Sequence, residues 1–300
     1  MAAWAGRRVL ALFFDMTRSR TRKPLMLAAW FQEHEVRQFL TVRAVHSASE
    51  IDDLLGHYTE ARRLFDAAPP WESIESVEIR NAPANVIQAF KEREGQAVQR
   101  GWFDALPHEV VVVSLAELRA FQFTVDRPYA GSFRVHPHAT VEDLAAMTLP
   151  SQPVGFPLQI STDNMGLTVS APGPNLRVQG MSLEGSPDGR TRLTVDLTFG
   201  SPLMQVAEFQ GRFLLKNGYH RAVGLLSQEI THVPVLLVHC SDYSQTGATG
   251  QGFFTPQIVQ GPKPPLLKHF LSKFAIEFNA TELHKAIRLR PDEFQLAVPE

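Results

Sequence analysis

Cysteine is nearly absent: Cys240 is the one thiol in 300 residues. That excludes an intrachain disulfide framework and a cysteine-rich zinc site, and it makes a reducing, cytoplasmic setting the expectation. An excess of charge of one sign is also lacking. With 29 basic against 31 acidic residues the net charge is −2, so no global basic field holds nucleic acid non-specifically. Long apolar runs are missing. The stretch Val9 to Phe14 is stopped by Asp15 after about six residues, short for the apolar centre of a secretion signal. Nothing approaches the ~18 apolar residues of a membrane helix, so no membrane partner is expected and the Asn279-Ala280-Thr281 sequon is read as a chance match. No Walker A pattern occurs. Gly247 to Gly252 (GATGQG) has the wrong glycine spacing for a dinucleotide fingerprint and opens no helix. What remains is 44% hydrophobic and 20% charged, a soluble globular composition with room for about two domains.

Residues 1 to 105 read as mainly helical and carry no chemical motif. Their expected role is packing or contact with a protein partner. After the apolar run at 8–14, the basic segment Thr17 to Lys23 reads as a solvated loop or a phosphate-contacting arm. Apolar spacing predicts a helix over Leu25 to Val42, with Leu27, Trp30, Phe31, His34 and Gln38 on one face. A second helix spans Ser47 to Phe65, with Ser49 as N-cap ahead of Glu50, Asp52 and Asp53. Ile74 to Ile79 alternates like a half-exposed strand, and Ala84 to Arg100 reads as a third helix.

The character changes near Leu106-Pro107. Four valines, Val110 to Val113, predict a buried strand, followed by a short helix over Leu115 to Phe121 capped by Ser114 with Glu117. Tyr129 to Val135 is a candidate strand. Thr140 to Met147 is a helix stopped by Pro150. Residues 151 to 200 alternate at period two between turns at Ala171 to Pro174 and Ser186 to Gly189, as a run of antiparallel strands does. Leu266 to Phe278 predicts a helix, and Lys285 to Val298 a strand or strand pair.

The most informative stretch is Glu208 to Val238. It reads as strand, tight turn at Gln210-Gly211, strand to Lys216, turn at Asn217-Gly218, helix, strand. Asn-Gly also starts hairpins, but Tyr219, Ala222, Val223 and Leu226 fall at helical spacing. Gly224 costs a helix about 1 kcal/mol, which points to close packing of that helix. A glycine between strand and helix lets backbone approach a ligand, and a helix N-terminus favours an anion. Arg221 can bind phosphate bidentately, and His220 adds a donor. The bland alternative is a tight turn with Arg221 in a surface ion pair and His220 as a cap.

Strand–NGYHR–helix–VPVLLV resembles the nucleotide-binding core of the ParB/sulfiredoxin superfamily, over about residues 193 to 238. Val110 to Arg127, with VVVSLAELRAFQF, resembles the family's opening strand and helix. The resemblance implies an α+β fold: a mixed-sheet ParB/sulfiredoxin-like domain over 106–252 with a β-rich insertion. A helical region at 1–105 precedes it, and a C-terminal extension at 253–300 packs on its core. It implies a nucleotide of the ATP or CTP class, with Mg2+ as the accompanying ion, held by Lys216, Asn217, Gly218, Tyr219, His220 and Arg221. NTP hydrolysis or small-molecule phosphotransfer follows as the implied activity, with Glu208 and His220 as candidate catalytic groups. Asn217 stands where many kinase-like members have Asp. Tyr219 stands where sulfiredoxins carry their reactive cysteine, so that chemistry is not expected. The C-terminal sixty residues are too short and proline-broken for a helix-turn-helix region, so chromosome partition is not expected either. Two alternatives stay open: a non-catalytic interaction module, and a DNA-associated nuclease or defence component.

Other candidates are weaker. His136-Pro137-His138 could present two imidazoles to a metal but has no third partner nearby in sequence, and no metal site is assigned. Asp196 and Glu229 flank the central motif as general-base or magnesium candidates. Lys263, Lys268 and His269 read as a solvated basic cluster, and Cys240 as a core residue.

Overall fold

The computed structural model describes residues 21–43, 46–71, 77–104, 106–152, 158–163, 166–172, 176–185, 190–250, 252–281 and 284–290. The expectations for residues 8–14, 17–20, 74–76, 173–174, 186–189 and 291–298 lie outside these.

Along the chain, β1 (Thr21–Arg22) and β2 (Pro24–Met26) lead through a 3-10 turn at Ala28–Trp30 into α1 (Glu33–Arg43). The helix expected from Leu25 therefore starts eight residues late. Leu25 to Trp30 are all buried and leave no polar face for a surface helix; strand pairing satisfies their backbone instead. Val36 and Leu40 are the buried residues of α1, whereas His34 and Gln38 are exposed. In α2 (Ala48–Ala67) the N-cap is Ser47 rather than Ser49: its hydroxyl accepts from Glu50 N, and the Glu50 carboxylate accepts from Ser47 N. Three-residue spacing to a glutamate completes a capping box only from Ser47. Then come β3 (Ile79–Asn81), α3 (Ala84–Gln99) and β4 (His108–Ser114).

No helix follows β4. Leu115, Leu118, Ala120 and Phe121 are buried, Arg119 N donates to Phe213 O at 2.9 Å, and Leu215 N donates to Arg119 O at 3.0 Å. These long-range backbone bonds outcompete the local Ser114–Glu117 contact, which closes only a turn. Next are β5 (Thr124–Asp126), α4 (Arg127–Ala130) and α5 (Val141–Thr148). The strand expected at Tyr129 to Val135 gives way to α4, one helical turn started by Asp126 as N-cap and Pro128 in its first turn. β6 (Gln159–Asp163), β7 (Gly166–Pro172), β8 (Leu176–Gly185) and β9 (Thr191–Phe199) form the expected β-rich stretch. The central unit is β10 (Gln205–Phe209), β11 (Arg212–Asn217), α6 (Tyr219–Leu226) and β12 (His232–His239). After α7 (Pro256–Val259), the helix expected to reach Phe278 is a 3-10 turn at Leu267–Leu271. β13 (Ile276–Glu277), β14 (Ala280–Thr281) and β15 (His284–Leu289) close the described chain.

The class is α+β. A five-stranded mixed sheet has the order β11-β10-β12-β4-β3, in which β10 and β12 are parallel and the other neighbours antiparallel. Hairpin partner β11 and helix α6 make the crossover between the parallel pair. Val233, Val235 and Leu237 of β12 join one core and Leu236 and Val238 the other, as strand alternation requires. α3 covers the second face through Val86, Phe90 and Ala97. The segments 1–105, 106–252 and 253–300 share sheets: β3 pairs with β4, β2 lies between β5 and β13, and β15 pairs with β7. Among the described residues no helix is long and apolar enough to cross a membrane.

Candidate functional site

β11 ends at Asn217, and the chain turns into α6 through Gly218 at φ 104°, ψ 22°. Only glycine takes that left-handed backbone without strain, and a Cβ there would also lie 3.0 Å from Met204 Cγ. Asn217 fastens the loop ahead of β10: its Nδ2 donates to Ser201 O at 2.7 Å and Leu203 O at 2.8 Å. A carboxylate cannot donate, so these two bonds require Asn rather than Asp.

The next three side chains each hold a different neighbour. Tyr219 Oη accepts from Phe121 N at 2.9 Å and Gln122 N at 3.3 Å, and burial pushes the phenol pKa far up. His220 Nε2 accepts from Asp126 N at 3.1 Å, and its ring lies 4.9 Å from that of Tyr129. Burial, reinforced by the charges of Arg22 and Arg221, lowers the imidazole pKa to about 4, so His220 is neutral at pH 7. Arg221 is 8% exposed, and its Nη1 donates to Met147 O at 2.9 Å, near the C-terminal end of α5. Burial brings its pKa down to about 10, which leaves it charged at pH 7 and well placed at a helix C-terminus. The start of α6 is thus a hub tying residues 121–122, the β5–α4 junction and α5 to the central sheet.

Lys216 Nζ donates to Asp104 Oδ2 at 2.8 Å and to Gln245 O at 2.7 Å. Glu208 is not beside the turn. Strand register pairs it with Phe213, whereas Asn217 pairs with Gln205, so Glu208 and His220 stand toward opposite ends of the β10–β11 hairpin. Glu208 Oε1 accepts from Gly211 N at 2.8 Å, and Oε2 lies 3.4 Å from His239 Nδ1. The structure therefore does not bring the two candidate catalytic groups, Glu208 and His220, together. Asp196 lies opposite Gly180 in the separate β8–β9 ribbon, and Glu229 follows α6 as an exposed residue at φ 64°.

Gly224 does mark a close approach, though to a helical turn rather than to the sheet. A Cβ there would lie 2.2 Å from Ala130 O of α4. The His136 and His138 rings are 5.6 Å apart, and among the described residues no group of three or more His, Cys, Asp or Glu gathers to hold a metal. Lys263 is half-buried and His269 buried. Lys263 Nζ donates to Phe65 O, and buried His269 accepts from Leu266 N through Nδ1 among the rings of Trp30, Trp71 and Phe274. Burial drives the His269 pKa down to about 3. Cys240 is buried, and burial raises its pKa. Sequence reasoning missed Asp126, Met147 and the Phe121-Gln122 amides, which lie about 70–100 residues from α6 and carry no local signal. It also missed a cleft of about 420 Å³ between α3 and α5, lined by Val86, Ala89, Arg93, Ala145 and Leu149. No family model matches the chain, and no curated protein or solved structure matches it.

Proposed function

We propose that this chain is a ParB-like protein that binds a phosphate-bearing ligand of the ATP or CTP class, with Mg2+, at the N-terminus of α6. One observation carries the reading. Gly218 caps α6 from the left-handed region with no side-chain hydrogen bond over the helix end, and the first intrahelical bond is Ala222 N to Gly218 O. The amides of Tyr219, His220 and Arg221 therefore have no acceptor inside the helix, and the helix dipole favours an anion beside them. In this reading backbone amides contact the phosphate. Lys216 supplies the charge by exchanging Asp104, whose side chain is 68% exposed, for the ligand. Asn217, Tyr219, His220 and Arg221 hold the cradle's shape. Hydrolysis or phosphoryl transfer is the reaction class the resemblance implies, with no catalytic base assigned.

A second reading, a non-catalytic interaction module, is favoured by one specific observation: Tyr219, His220 and Arg221 are all engaged with backbone groups. Thermal-shift and calorimetric titration with ATP, CTP, GTP and ADP, with and without Mg2+, separates the two. Under the first reading at least one nucleotide raises Tm, and Lys216→Ala weakens binding about tenfold while leaving the unliganded Tm within a few degrees. If no nucleotide binds and Arg221→Met merely lowers stability by about 1.5–3 kcal/mol, the turn is structural and the second reading stands.

A further inference from the structure

β8 and β9 form a two-stranded antiparallel ribbon, and among the described residues neither strand pairs with any other. Its register sets Leu183 opposite Leu193, Met181 opposite Val195, Val178 opposite Leu197 and Leu176 opposite Phe199. Cross-strand partners share a face, so one side of the ribbon is apolar along its length. A register shift between Val178 and Gly180 maintains this pattern. Without the extra residue, simple alternation from Met181 would turn Gln179 and Arg177 onto the apolar side. The opposite side carries Arg177, Ser182, Glu184, Arg192, Thr194 and Asp196.

Among the described residues only the base of the apolar side is packed in a core cluster. Leu176 packs with Val169 and Ala171, and Leu197, Phe199 and Ile287 pack against that cluster. Beyond the base, Val178 is 45% exposed, Met181 68%, Leu183 72% and Leu193 57%. On β6, Ile160 pairs with Val169 at the rim of the same small core and is 67% exposed. The ribbon therefore overhangs a half-covered β-sandwich.

We infer that this overhang is the interface of a two-fold symmetric dimer of this chain, in which the ribbon tip of each copy covers the exposed apolar face of the other. The area fits. These five residues present roughly 200–350 Å² of apolar surface per copy, taking about 60–120 Å² for a large aliphatic side chain. At the usual apolar share, two copies then bury on the order of 700–1,200 Å², the low end for a specific interface and appropriate to a reversible dimer. Charge points the same way. The two strands carry two arginines and two carboxylates, so the ribbon has no basic flank for nucleic acid or an anionic membrane and does not repel its own copy. A face-to-face pair of identical ribbons is self-complementary, as an isologous contact must be.

Sedimentation equilibrium of the full chain from about 1 to 100 µM tests this, a range suited to an interface of that size. A monomer–dimer equilibrium is expected. Leu183→Lys with Leu193→Lys should shift its midpoint at least tenfold to higher concentration while the Tm of the monomer, read well below the midpoint, stays unchanged, because both sites are exposed. Ser182→Lys, on the polar side, should leave it in place. A monomer throughout the range, or a dimer indifferent to Leu183→Lys with Leu193→Lys, overturns the proposal. So does a monomer that co-sediments with phosphatidylcholine vesicles, which would make the overhang a lipid contact.

Discussion

Two histidines, His269 buried and His220 half-buried, make stability depend on pH with a definite sign. His220 titrates near pH 4 and His269 near pH 3 when folded, both because burial disfavours the imidazolium. An unfolded histidine titrates at about 6.5. Between these values the unfolded chain binds protons that the native chain does not, so stability falls as pH drops. Their contribution is complete above about pH 6.5 and is lost downward, to about pH 4 for His220 and pH 3 for His269. Each histidine adds up to about 1.4 kcal/mol per pH unit to the slope within its window. Urea denaturation at pH 7, 6 and 5 should show a falling midpoint, and His269→Asn should flatten the decline. A midpoint independent of pH would contradict the desolvation of both rings. At this scale the candidate site was only partly legible. Gly218, the helix start and the cluster of chemically capable side chains could be read from spacing. The partners of Tyr219, His220 and Arg221 could not, because they are backbone groups of distant segments that any side chain could have supplied.

At the scale of elements, α6 offers a test in which two effects oppose each other. Alanine is a better helix former than glycine by about 1 kcal/mol, so Gly224→Ala ought to stabilise α6 on propensity alone. The Cβ would meet Ala130 O at 2.2 Å, and backbone cannot yield as a flexible side chain does. The clash should prevail, with a net loss of about 1–3 kcal/mol in chemical denaturation. A gain would mean that α4 does not press on α6 in solution. The same competition explains which elements the sequence revealed. α2, α3, α5 and α6 have a polar face or a cap as well as apolar spacing, and β4 and β12 are short apolar runs that only a buried strand suits. The segments at 25–31 and 115–121 are largely buried, as is much of 266–278. Local pattern there is ambiguous between helix and strand, and long-range hydrogen bonds such as Arg119 N to Phe213 O decide.

For the whole molecule, the interleaving of chain segments argues for one cooperative unit. Trp71 Nε1 donates to Pro264 O at 2.9 Å and Trp30 Nε1 to Lys263 O at 2.7 Å, while Leu266, Leu267 and Phe270 sit in the same core as α1 and α2. Deleting residues 253–300 should therefore abolish folding of the remainder, not merely trim it. Circular dichroism and thermal melting of that truncation should show no cooperative transition, whereas the full chain melts in one. Independent melting of residues 106–252 would refute this. The three-stranded sheet β13-β2-β5 also has a consequence for biosynthesis. β2 leaves the ribosome some 250 residues ahead of its partner β13. Until then the aromatic side chains around Trp30 have no lid, and the early chain must stay soluble without its final core. This sheet has to wait for β13, and the strongly non-local pairing makes its formation slow once it begins.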